Sequence, residues 1–305
     1  MQKIILFLII LLPFTLFGHE PIEPIPEHIS VDVKKAALGK KLFFDSILSK
    51  DKTINCASCH ILQDGGDDNL RHSFGIKGQE GPINAPTVYN AVFNFHQFWD
   101  GRAKDLQDQA GGPIENPKEM GYNFKDLIKR LNKTNYKAEF DAVYKDGITK
   151  ANITDAIAEY EKTLITPNAP FDRYLRGDKN AITPEQKEGY ELFKSKGCIT
   201  CHHGINIGGN LYNKFGIFED ANSSSYGRFN VTHKERDKFY FKVPSLRNIA
   251  RTAPYFHDGR TYELRQAVYE MAKYQLGRKI TPQEVDKIVA FLKSLNGEIP
   301  KNIGK

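Results

Sequence analysis

Two short runs constrain this chain more than anything else in it: Cys56-Ala57-Ser58-Cys59-His60 and Cys198-Ile199-Thr200-Cys201-His202. Two cysteines separated by two residues and followed at once by histidine form the attachment pattern of a c-type haem. Each thiol can add to one vinyl group of the porphyrin, and the adjacent imidazole is placed to become an axial ligand of the iron. With 4 cysteines and 9 histidines in 305 residues, chance predicts roughly 0.002 occurrences of the pattern, and the chain has it twice. A zinc half-site would need further ligands and would leave the position of the histidine unexplained. The chain is therefore read as carrying two covalent haem c groups. Cys56, Cys59, Cys198 and Cys201 attach them, and His60 and His202 are axial ligands. No cysteine is left over for a disulfide.

The N-terminus points to a compartment. Lys3 is followed by an apolar run and then by small Gly18, which reads as a secretory signal peptide over residues 1–18 rather than a membrane span. No other apolar stretch approaches membrane length. Covalent haem attachment takes place outside the cytoplasm, so export and haem agree, and the mature protein is expected to be soluble and periplasmic. The net charge is +6, with lysines scattered and no dense basic run. That pattern describes solvated faces rather than a nucleic-acid-binding surface.

Residues 19–32 are proline-rich and polar and read as a flexible leader. Beyond them the apolar positions keep helical spacing, as in Val33 to Phe44. Thr183-Pro184-Glu185-Gln186 and Thr281-Pro282-Gln283-Glu284 each offer a capping threonine, a proline at the first helical position and a capping-box residue at the third. Strand-like alternation is rare, so the fold is expected to be mainly α.

The chain also repeats itself. Gly39-x-x-Leu42-Phe43 precedes the first haem motif, and Gly189-x-x-Leu192-Phe193 precedes the second. Ala85-Pro86-Thr87-Val88-Tyr89-Asn90 is matched by Val243-Pro244-Ser245-Leu246-Arg247-Asn248. Phe98-Trp99-Asp100-Gly101-Arg102 and Phe256-His257-Asp258-Gly259-Arg260 follow at the same interval. The pattern describes two tandem cytochrome c-like haem domains related by internal duplication. The prolines of Thr166-Pro167-Asn168-Ala169-Pro170 place the boundary, giving an N-terminal domain over 33–166 and a C-terminal domain over 167–305.

What fills the sixth position of a haem iron decides between electron transfer and chemistry. Apart from Met1 the chain has only Met120 and Met271. Met271 falls in an expected helix, Leu264–Tyr274, after the second haem motif, and is the candidate sixth ligand there. A His/Met C-terminal haem would be a higher-potential relay. Met120 lies in a polar turn.

With these motifs in this order, the chain resembles the bacterial di-haem cytochrome c peroxidases, the family that also includes the MauG-type di-haem enzymes. The resemblance rests on LGKKLFFD, CASCH, QEGPINAPTVYN, FWDGRAKDLQDQAGGPIENPKEMG, CITCH, KVPSLRNIARTAPYFHDG and the Met271 segment, and it spans nearly all of the mature chain. It implies reduction of hydrogen peroxide to water at the N-terminal haem. Electrons would come from a small cytochrome c or copper protein and enter at the C-terminal haem. It also implies that Glu119 is the catalytic acid/base, that Gln109 orients peroxide or water beside the iron, and that Phe98 packs in that pocket. Trp99 corresponds to the residue between the haems. The resemblance further implies a calcium ion held by the Asn84 side chain and the carbonyls of Thr252 and Pro254, and a homodimer.

One departure stands out. Many family members place a histidine in the loop before Gly-Pro-x-Asn-Ala-Pro, where it caps the peroxidatic iron in the oxidised state. Here that position is Ile76, which cannot ligate iron, so the N-terminal haem is expected to stay open without reductive activation. His72 and His96 are the alternative ligands, while His203 and His233 read as surface residues. Two other functions fit parts of the pattern. A MauG-like oxidase of a protein substrate would carry tyrosine where Met271 stands, and a non-enzymatic electron carrier would need neither Glu119 nor Gln109.

Overall fold

The structure, a computed structural model, describes residues 20–301; the signal segment expected over residues 1–18 lies outside them. The described chain is mainly helical, as expected. In its first half run α1 (Val33–Phe44), α2 (Leu106–Glu115), α3 (Phe124–Leu131), α4 (Tyr136–Asp141) and α5 (Lys150–Lys162). In its second half run α6 (Pro170–Leu175), α7 (Pro184–Ser195), α8 (Phe229–Thr232), α9 (Leu264–Glu270) and α10 (Pro282–Lys293). Two short strands, β1 (Tyr212–Lys214) and β2 (Tyr240–Lys242), pair antiparallel with Tyr212 opposite Lys242.

The duplication is visible as one helix crossing made twice. α1 packs on α5, and α7 packs on α10. At the first crossing a Cβ on Gly39 would lie 1.7 Å from the Ala156 carbonyl oxygen, and at the second a Cβ on Gly189 would lie 1.9 Å from that of Lys287. Only glycine permits backbones to approach so closely. Thr183 and Thr281 cap α7 and α10 as their sequences predict, each with a reciprocal capping box. Around the first crossing gathers a core of Leu38, Leu42, Ile114, Met120, Leu127, Phe140 and Ile157. Around the second gathers a core of Phe171, Tyr190, Phe193, Ile288, Phe291 and Leu292.

The repeated loops fold alike too. Asn90 and Asn248 adopt left-handed backbone at φ 60° and 59°, and each leads into a 3₁₀ turn, Ala91–Phe93 or Ile249–Arg251. Their side-chain amides converge on one hydroxyl: Nδ2 of each donates to Thr166 Oγ1, at 2.8 and 2.9 Å. Phe98 and Phe256 both have positive φ, 67° and 71°, and matching bridges, Gln97 to Ala103 and Tyr255 to Thr261, close both loops.

Two expectations need correction. The leader over 19–32 is not flexible across its described residues. Ile22 and Ile25 are buried in the C-terminal core region. Pro21 O accepts from Gly204 N at 2.7 Å, Glu23 O accepts from the Arg247 guanidinium at 2.8 Å, and Asp32 N donates to Glu159 Oε2 at 2.8 Å. Two isoleucines among the prolines give this irregular segment enough apolar surface to bind as a strap. The segment Leu264–Tyr274 is also not one regular helix: α9 ends at Glu270 and widens into a π-helical turn, Met271–Gln275.

Candidate active site

Both haem motifs begin with a 3₁₀ turn, Cys56–Ser58 and Cys198–Thr200, that brings the paired thiols to one side. All four cysteines are free thiols. Burial lifts the Cys59 and Cys198 thiols to about 11. His60 Nδ1 lies 3.0 Å from the Gly66 carbonyl, and His202 Nδ1 lies 3.4 Å from that of Ile207. A carbonyl partner at Nδ1 fixes the tautomer that leaves Nε2 free to bind a metal. Burial holds both rings neutral, with His202 lowered to about 4. Free paired thiols beside a neutral imidazole suit covalent haem. When bound, haem supplies the redox-active iron.

The residues expected to serve the first haem lie on two loops and a helix. The Ser73 side chain stands close enough to the Cys59 thiol to oppose its rise, which sets loop 73–81 beside the first motif, although the buried Ser73 hydroxyl itself has no hydrogen-bond partner among the described residues. Farther along, Ile76 N donates to Glu119 O at 2.9 Å, and Gly75 lies so close to Lys118 and Glu119 that a Cβ would clash with their backbone. Ile76 is buried, and a Cβ on Gly121 would meet its Cδ1 at 2.5 Å. The half-buried carboxylate of Glu119 accepts from Asn116 Nδ2 at 2.7 Å. Burial raises its pKa, while the Asn116 hydrogen bond and the Arg102 charge oppose the rise. The Glu119 charge in turn contributes to raising both Cys56 and Cys59, so this carboxylate stands near the first motif.

Phe98 joins this group through its neighbours. Arg102 stacks on its ring at 3.5 Å, and a Cβ on Gly112 would touch it at 3.1 Å. Gln109 is one turn before Gly112 on α2, on the same helix face. Glu119, Phe98, Arg102 and Asn116 thus gather beside loop 73–81, with Gln109 on the adjoining face. The two alternative histidines are engaged elsewhere on one side: His72 Nδ1 pairs with Glu80 at 2.8 Å, and His96 Nδ1 bonds Tyr212 OH at 3.0 Å. His72 Nε2 is buried without a partner. His233 is exposed, whereas His203 is half-buried against Asn210.

The second motif opens onto a largely apolar cavity between the halves. Cys198, Cys201, His202 and Met271 line it, as do Leu246, Ile249 and Val268. Its wall continues through Trp99, Asn84, Thr252 and Pro254. Trp99 Nε1 donates to Asn84 O at 2.9 Å, and its ring meets that of His257, its counterpart in the repeat, edge-on at 6.2 Å. The oxygen groups expected to hold calcium suit a hard cation. Among the described residues no backbone N–H donates to the carbonyl of Thr252 or Pro254, and Asp67 Oδ1, in the same wall, is buried without a partner.

Sequence reasoning missed Asn116, Arg102, Ser73 and Asp67. Each is a common polar type distinguished only by its surroundings in the fold. The pairing of Arg102 with Arg260 in the repeated pentads was the one available signal.

A family model described as di-haem cytochrome c peroxidase matches residues 33–180, and one for cytochrome c matches residues 186–296. The chain is 53% identical over 92% of its length to the cytochrome c peroxidase Ccp of Escherichia coli K12, of which it covers 62%. It is 50% identical over 93% of its length to the cytochrome c551 peroxidase of Nitrosomonas europaea, covering 86% of that protein. In fold it is similar to the crystal structure of a MauG-like protein associated with microbial copper homeostasis. That match has a TM-score of 0.82 at 24% identity, over 96% of this chain and 98% of that one. The chain belongs to the di-haem cytochrome c peroxidases, oxidoreductases that carry two haem c groups.

Proposed function

We propose that this protein reduces hydrogen peroxide to water, using electrons from a small cytochrome c or copper protein. Cys56 and Cys59 would hold one haem, with His60 as its candidate ligand. Cys198 and Cys201 would hold the other, with His202 and Met271, which line the same cavity, as its candidate ligands. Bound there, the second haem would take electrons from the donor, and Trp99, in the cavity wall between the halves, would lie on their way to the first. The observation that carries the reading is the Glu119 carboxylate, lifted by burial and set among Asn116, Arg102 and Phe98 beside the first motif. Glu119 accepts a proton from one oxygen of hydrogen peroxide and returns it to the other, which then leaves as water. Two electrons and two protons complete the conversion of each peroxide to two waters. Gln109 orients the substrate, and Phe98 limits the space around it. An electron carrier would have no use for such a carboxylate.

Asn84, Thr252 and Pro254 hold calcium between the halves, and the division into domains falls at residues 166 and 167. The mature protein is periplasmic and acts as a homodimer. Because Ile76 occupies the place of a capping histidine, the first haem is open in the fully oxidised protein. In the holoprotein, Glu119→Gln is expected to lower peroxide turnover by about 10²-fold to 10⁴-fold with both haems retained by absorbance. Turnover within a few-fold of wild type would overturn the assignment. Stopped-flow mixing of the fully oxidised protein with peroxide tests the open site. A spectral change within the turnover time supports it, and a six-coordinate bis-histidine spectrum with no reaction defeats it.

A further inference from the structure

Lys242 ends β2 inside the cavity wall. Its backbone N–H donates to Trp99 O at 2.8 Å, and the residue is 6% exposed. Its charge has no counterpart: among the described residues no ion pair or hydrogen bond reaches its ammonium. Burial alone lowers it to about 8. Other cations in the same wall are provided for. Lys196 pairs with Glu284 at 2.6 Å, while Lys214 and Arg278 are exposed. Asp67, the carboxylate of the wall, forms no ion pair with Lys242, and neutral His257 offers no charge.

Burying an unpaired ammonium is costly, and such groups are ordinarily matched by an anion or kept out of the interior. Other members of this wall are the thiols and the imidazole of the second haem motif. A c-type haem brings carboxylates of its own, the propionates. We propose that Lys242 is the buried cation that receives a propionate carboxylate of the haem attached at Cys198 and Cys201, neutralising it beside Trp99. This rests on the proposed reading of that motif as a haem site. The consequence is electrostatic. A cation near the iron disfavours the more positive, oxidised state, so Lys242 raises the potential of that haem.

The test is a potentiometric titration of the holoprotein, with haem content measured independently. In Lys242→Met the midpoint of one haem is expected to fall, with the reduced-to-oxidised ratio about tenfold lower at a given potential, equivalent to about 59 mV for one electron. Lys242→Arg, which keeps the charge, should restore most of the shift. Lys242→Gln serves in place of the methionine variant if that one fails to take up haem. Unchanged midpoints in Met and Gln variants that hold both haems would overturn the inference. An equal fall in the arginine variant would overturn it too, because packing and not charge would then be responsible. A wild-type protein holding a single haem would instead overturn the reading of the second motif.

Discussion

Glu119 shows how far one side chain's chemistry depends on its surroundings. In sequence it is a loop carboxylate between Lys118 and Met120; in the fold, burial raises its pKa and Asn116 holds it. The Asn116 hydrogen bond favours the ionised form, so removing it moves the pKa further up. A base must be ionised to accept a proton. The acid limb of the pH–rate profile of Asn116→Ala is therefore expected at higher pH than that of wild type, as steady-state assays across pH would show. An unshifted limb would mean that Glu119 is not the titrating group. Ile76 makes the complementary case. It packs against Gly121, and Ile76→His would put an imidazole where the family's capping ligand stands. That variant is expected to bind peroxide slowly when fully oxidised and to regain speed once the second haem is reduced, as measured by stopped-flow absorbance.

At the scale of elements, the glycines of the two Gly-x-x-Leu-Phe repeats determine how each half closes. Their role was legible as a repeated spacing, but the reason for it was not. The carbonyls of Ala156 and Lys287 fill the space where a side chain would go, and these partners lie far away in sequence. Gly39→Ala is expected to destabilise the N-terminal half by about 3 kcal/mol or more, since the contact is with backbone that cannot step aside. A lowered denaturation midpoint of the holoprotein checks this. The helix carrying Met271 behaves differently from its sequence pattern. Its apolar spacing describes an ordinary helix, whereas the π-helical turn at Met271–Gln275 is a device often found at functional sites. It brings Met271 to the cavity wall that His202 also lines.

Across the whole molecule, the halves are joined by polar groups that composition does not reveal. Thr166 takes an amide from Asn90 and another from Asn248, one from each half. Arg247, fully buried, pairs with Asp172 at 2.6 Å and also donates to the carbonyls of Glu23 and Ile205. Through Glu23 it holds the strap that runs on to Asp32 and Glu159. Arg247→Leu leaves Asp172 as an uncompensated buried charge and is expected to cost about 3–5 kcal/mol. Limited proteolysis should then cut the strap within residues 20–32 while wild type resists. Equal protection in both proteins would show that Ile22 and Ile25 anchor the strap unaided.

By itself the sequence determined the covalent chemistry and the plan. Cys-x-x-Cys-His is a local pattern, helix caps are local, and a duplication is read by aligning the chain with itself. Met271 and Glu119 could be singled out because few methionines exist and because the surrounding motif resembles a known family. Only the tertiary structure decided which groups lose water and which gain partners. The raised carboxylate of Glu119, the unpaired ammonium of Lys242 and the docked strap all arise from residues far apart in the chain. Burial and pairing are properties of the assembled neighbourhood, and no spacing along the chain encodes them.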